Sequence, residues 1–109
     1  MCHTSGMQLR KYRWSRDYES AEEELVRQLA VRNVQAERWH IEEHDKLEDR
    51  TYAFDSRLWC VEGSIMIHVA GKNISLQPGD TLDIPADTAH SATAGMTGAV
   101  CFQAHANTA

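Results

Sequence analysis

Beyond Asn33 the chain alternates apolar and polar residues in short runs rich in Val, Ile, Thr, Trp and Tyr, the period-two pattern of β-strands. Turn residues separate the runs at Gly63, at Ala70-Gly71-Lys72-Asn73, at Pro78-Gly79, at Pro85 and between Gly95 and Gly98. Strands are predicted over about 36–43, 47–54, 57–62, 64–69, 73–77, 81–84, 89–94 and 98–105. So many short strands at this spacing predict an all-β sandwich or barrel.

Alternation also assigns faces. Ile65, Ile67 and Val69 share one side of their strand, with Met66 and His68 on the other. The run 57–62 is apolar on both sides, Leu58 and Cys60 facing one way and Trp59 and Val61 the other. Such a strand needs cover on both faces. An N-terminal helix, the Tyr12–Trp14 segment or a second subunit would supply it, and a homodimer is expected.

Upstream the period changes. Ser20 followed by Glu23 has the spacing of a capping box, Glu22 to Glu24 fill a first turn, and Leu25, Val26 and Leu29 form a narrow apolar stripe. One short helix is predicted over about 20–32. Residues 1–9 carry no period, and little order is expected at Met1–Ser5. The organisation expected is one domain, with an N-terminal extension and helix (1–35) packed on a barrel (36–109).

Composition narrows the function classes. The 109 residues, 42% hydrophobic and 25% charged, describe an ordinary soluble globular domain. A net charge of −5 argues against a nucleic-acid partner. The basic run Arg10, Lys11, Arg13 and Arg16 is interleaved by Tyr12 and Trp14 and followed at once by Asp17, Glu19 and Glu22, so it reads as a solvated segment. The sequence has neither a bilayer-crossing apolar run nor a secretory h-region, so no membrane partner and a cytoplasmic location are expected. Cys2, Cys60 and Cys101, odd in number and without C-x-x-C spacing, read as free thiols rather than a disulfide framework or nucleophiles.

Residues 79–90 read Gly-Asp-Thr-Leu-Asp-Ile-Pro-Ala-Asp-Thr-Ala-His. They resemble the second motif of the cupin superfamily, G-x5-P-x-G-x2-H-x3-N. Gly79, Pro85 and His90 keep its spacing, while Asp87 stands at its second glycine and Ala94 at its asparagine. Val61-Glu62-Gly63 and Leu76-Gln77-Pro78-Gly79-Asp80 also resemble the family's wording. Residues 36–105 are therefore similar to a small single-domain bacterial cupin, which implies a double-stranded β-helix (jelly-roll) barrel. The family's first motif, G-x5-H-x-H-x3-E-x6-G, anchored on Gly63, falls on His44, Arg50, Tyr52 and Ser56. Three imidazoles and a carboxylate hold a divalent metal in the family; of those four ligands only His90 remains here.

A guanidinium cannot ligate and repels a second cation, so this resemblance implies a degenerate site with no metal or other cofactor. By strand parity Glu48, Arg50, Tyr52, Ser56, Leu58, Cys60 and His90 are expected to face inward, lining a cavity with a polar and an apolar end. Arg50 is the candidate anchor for a small anionic ligand, with Tyr52, His90 and Glu48 orienting it. The competing structural reading pairs Glu48 with Arg50 and closes the pocket. His40 and His44 read as solvated, His3 as terminal, and His68 as outward. Two further readings stay open: a metal-dependent dioxygenase, isomerase or decarboxylase with substitute ligands such as Glu48, Cys60, Tyr52 or His105, and a structural or regulatory dimer with a vestigial pocket.

Overall fold

The computed structural model describes residues 9–14 and 21–105, apart from the side chains of Ala21, Glu48 and Asp49. Its elements are β1 (Arg10–Arg13), α1 (Ala21–Arg32), β2 (Glu37–Ile41), β3 (Lys46–Arg50), β4 (Ser56–Val69), β5 (Lys72–Leu76), β6 (Asp80–Ile84) and β7 (His90–His105). The expected strands 57–62 and 64–69 are one strand, β4, and 89–94 and 98–105 are likewise one strand, β7. Gly63 and Gly98, read as turns, sit instead inside these strands with φ of 72° and 75°. A Cβ at Gly63 would lie 2.1 Å from the carbonyl oxygen of Gly98, so the two backbones meet at a contact only glycine permits.

The β4–β7 register shifts on either side of that contact, between Cys60 and Glu62 and again between Gly63 and Ile65. Bulges bend strands. Each long strand therefore contributes one half to each of two layers. One layer runs β1-β6-β4-β7-β2, using Ser56–Trp59 of β4 against β6 and the C-terminal half of β7 against β2. The other runs β5-β4-β7-β3, using Ile65–Val69 and the N-terminal half of β7. All strand pairings are antiparallel.

Between the layers lies a core of Leu58, Cys60, Ile65, Ile67, Val69, Leu76, Leu82, Ile84, Cys101 and their neighbours. A second cluster covers the outer face of β4, where Trp59 and Val61 pack with Leu25, Leu29, Val34, Val100 and Phe102, joined by Trp14. The double-sided strand is thus covered within the chain, by α1 and Trp14. The face that suggested a second subunit is filled without one.

The helix begins at Ala21; Ser20, expected as its cap, lies outside the described residues, as do Met1–Ser5. Its end is a Schellman motif. Asn33 takes a φ of 59°, its N–H donates to Ala30 O at 3.1 Å, and Val34 N–H donates to Leu29 O at 2.9 Å. Leu29 and Val34 meet in the second cluster, the apolar contact that accompanies this stop.

Arg10, Lys11 and Arg13 of the basic run are exposed, as read, and form a strand; Arg16 lies outside the described residues. β1 adds to β6, pairing Arg10 with Asp83 and Arg13 with Asp80 across the strands, so the sheet extends into residues expected to lie outside the barrel. Opposite charges drive the pairing: Arg13 Nη1 lies 2.9 Å from Asp80 Oδ1, and Lys11 Nζ 3.7 Å from Asp80 Oδ2. Arg57 Nε and Nη2 donate to the two oxygens of Asp83 at 2.7 and 3.2 Å, and the Tyr12 hydroxyl donates to Asp83 Oδ1 at 3.4 Å.

Burial, then repulsion by the Asp83 carboxylate, pushes the Tyr12 phenol above its usual value of 10.0. The unfolded phenol ionises first as pH rises, so the stability this group contributes is present below about pH 10 and lost as pH climbs through the folded value. The melting temperature is expected to fall more steeply between about pH 9 and pH 11 than that of Tyr12→Phe. Equal slopes would remove Tyr12 from the alkaline transition.

Candidate functional site

The backbone tests the motif alignment directly. Gly63 and Gly79 have φ of 72° and 96°, and His44 and Asp87, which stand where the motifs carry glycine, have φ of 60° and 58°. All four glycine positions are left-handed, a conformation glycine adopts freely and other residues rarely. The alignment placing Arg50, Tyr52, Ser56 and His90 at the ligand positions therefore agrees with the chain geometry. Asp87 N–H donates to Tyr52 O at 2.7 Å, tying the β3–β4 loop to the β6–β7 turn. Asp87→Gly should leave stability unchanged or slightly raised, whereas Asp87→Val should lose about 1–2 kcal/mol in denaturant unfolding. Indistinguishable variants would show that this backbone is not strained.

Arg50 stands directly opposite His90 in the β3–β7 ladder. The ladder shifts register between Leu47 and Arg50, so strict alternation fails in β3. Leu47 and Arg50, three residues apart, line the same cavity. The side chain of Glu48 lies outside the described residues. Arg50 is exposed at the barrel mouth rather than enclosed, its guanidinium carbon 5.4 Å from the centre of the Trp39 ring. His90 is buried, and its Nδ1 lies 3.2 Å from Thr88 O. A carbonyl only accepts, so Nδ1 carries the proton, and in the neutral ring Nε2 is left as an acceptor.

Tyr52 is half-buried, its ring 5.6 Å from that of His90 and stacked at 5.0 Å on Phe54, which stacks in turn at 3.6 Å on His105. Arg50, Tyr52 and His90 are thus brought together at the mouth. Ser56 and Cys60 are not: they are 1% and 0% exposed, in the barrel body. Cys60 faces Cys101 across the β4–β7 ladder, both thiols free, and the neighbouring Cys60 with burial pushes the Cys101 thiol far up, which leaves it inert.

The two-ended cavity expected from parity is smaller than that pattern suggests. Leu58, Ile65, Ile67 and Ile84 fill the apolar end, leaving about 20 Å³ beneath Arg50, Trp39 and His90, room for about one water. Space opens outward instead. A depression of about 320 Å³ is lined by Glu37, Trp39, His40, Ile41, Leu47 and Arg50, and one of about 580 Å³ by residues including Tyr52, Phe54, Gln103 and His105.

Trp39, Phe54 and Gln103 were not among the residues singled out from the sequence. Phe54 shares the parity of Tyr52 two residues before it, a readable signal; Trp39 meets the site through the β2–β7 pairing, and Gln103 through that pairing and the β4–β7 ladder. His40 and His44 are exposed, as read. His68 is held by Asn73 Oδ1 at 2.7 Å and Thr93 Oγ1 at 3.1 Å, and lines a separate depression that His90 also borders.

The divalent metal that the family's four ligands hold does not fit this donor set. One imidazole, a phenol, a buried hydroxyl and a guanidinium occupy its positions, and among the described residues no three His, Cys, Asp or Glu side chains converge to hold an ion. Of the substitutes considered, Cys60 is enclosed in the core and His105 is stacked on Phe54.

The fold matches an RmlC-like cupin from Shewanella frigidimarina NCIMB 400 with a TM-score of 0.61 at 19% identity, over 66% of this chain and 64% of that one. A cupin superfamily protein from Desulfitobacterium hafniense DCB-2 matches with a TM-score of 0.61 at 16% identity, over 95% of this chain and 82% of that one. This chain has the cupin fold. A DUF861 family protein from Thermotoga maritima shares it too, with a TM-score of 0.61 at 13% identity over 90% of this chain and 99% of that one. The chain thus spans a little under two thirds of the first of these cupins and nearly all of the third. No family model matches the chain, and no curated protein does. Such likeness carries a cupin architecture and leaves activity to be argued from the site. Among the described residues no helix is long and apolar enough to cross a membrane.

Proposed function

We propose that this cupin barrel binds a small anionic molecule at its mouth, without a metal, with Arg50 as the anchor. One observation supports the reading above the others. The Arg50 guanidinium is exposed in an open depression, lies over the Trp39 ring, and pairs with no carboxylate among the described residues. The cation–π contact with Trp39 keeps the guanidinium at the rim, where its N–H groups can grip a carboxylate or phosphate with two parallel bonds. Tyr52 adds a phenolic donor, and His90, whose Nδ1 faces Thr88 O, offers its Nε2 as a further polar contact. Binding without turnover is sufficient for this arrangement.

A role as a structural or regulatory dimer with a vestigial pocket is favoured by the filled interior. Its expected interface, however, is the Trp59–Val61 face that α1 already covers. Titration with acetate and with inorganic phosphate, followed by amide NMR, separates the readings. Shifts centred on Arg50 and Trp39 that vanish in Arg50→Ala support anion binding at the mouth. Absence of shifts at high millimolar anion overturns it and favours the structural role.

A further inference from the structure

The depression next to the one Arg50 lines, which shares Glu37 with it, has an uncommon wall. Phe54 is stacked on Tyr52 with 22° between the planes and on His105 with 23°, and Tyr52 in turn leans on His90. Rings stacked face to face cover one another's faces, so they present mainly their edges to the space of about 580 Å³ that they line. Ring edges carry the positive part of the aromatic quadrupole. Such a wall attracts the negative face of another aromatic ring in a T-shaped contact, and offers a saturated ring no equivalent gain.

Gln103 joins this wall to the anion anchor. It lies on β7 opposite Leu58, is half-buried, and lines both the small cavity under Arg50 and the larger depression. No hydrogen bond satisfies its amide among the described residues. We infer that the ligand is an aromatic carboxylate, its acid group on Arg50 and its ring against the edges of the Tyr52–Phe54–His105 stack, with Gln103 bonding a polar ring substituent. The inference rests on the anion-binding reading and adds the ligand class to it.

The test compares benzoate with cyclohexanecarboxylate, which match in charge and nearly in size and differ in the π-system. Both are titrated into the wild type, Phe54→Leu and Arg50→Ala by NMR, with circular dichroism melts confirming that each variant folds. Benzoate should bind the wild type roughly tenfold more tightly, and Phe54→Leu, which keeps apolar bulk but loses the ring, should erase most of that preference. Tyr52→Leu serves as the second variant if Phe54→Leu does not fold. Equal binding of the two acids, both dependent on Arg50, would overturn the aromatic inference and leave the anion site standing. Binding of neither acid, with acetate and phosphate also unbound, would overturn both.

Discussion

Leu82→Ala is expected to lower unfolding stability by about 2–5 kcal/mol, as large-to-small changes in a closed core do. Leu82 is fully buried at the centre of β6, between Lys11 of β1 and Leu58 of β4, inside the core that fills the barrel. The neighbouring side chains are held by strands on both sides and cannot collapse freely into the space. Against a total stability of about 5–15 kcal/mol for a domain of this size, that loss is a large fraction. Urea unfolding at unchanged slope would report it directly. A loss below about 1 kcal/mol would mean that the interior relaxes readily, and the case for a barrel closed to ligands would fail with it.

Arg50→Ala should weaken carboxylate or phosphate binding roughly tenfold to a hundredfold while leaving the melting temperature nearly unchanged. A fully enclosed guanidinium would give a larger effect. Arg50 is exposed, water screens it, and the range is set lower for that reason. Stability is spared because the side chain lies over the Trp39 ring at the rim and has no carboxylate partner among the described residues. Arg50→Lys keeps the charge but loses the planar fork, so it should recover only part of the affinity. A fall in stability without a change in binding would instead assign Arg50 the structural role in which it neutralises Glu48.

Much of the architecture was legible along the chain. The alternation of Ile65, Ile67 and Val69 against Met66 and His68 holds in β4, where the first three are buried and the other two are not. The double-sided run at Leu58–Val61 announced two clusters, and two are present. The motif spacing carried the cupin architecture, and His44 and Asp87, which stand at its glycine positions, have the left-handed φ that glycine adopts most easily. The site was less legible because parity arguments assume unbroken alternation, which the bulge in β3 interrupts between Leu47 and Arg50. The same arithmetic says nothing of volume, so it placed Ser56 and Cys60 beside a cavity that neighbouring side chains fill.

Local chemistry explains the division. Period, turn residues and motif spacing act over a few neighbouring residues and are written in order along the chain, so the helix, most of the strands and the cupin-like spacing could be read there. Whether Gly63 and Gly98 turn the chain or pass each other inside two long strands depends on a contact across 35 residues, from 63 to 98. The stacking of Phe54 on His105, the seating of Arg50 on Trp39 and the arrival of Gln103 between them depend likewise on registers between strands distant in sequence. Those registers are set by how the whole core packs, and no single segment specifies them.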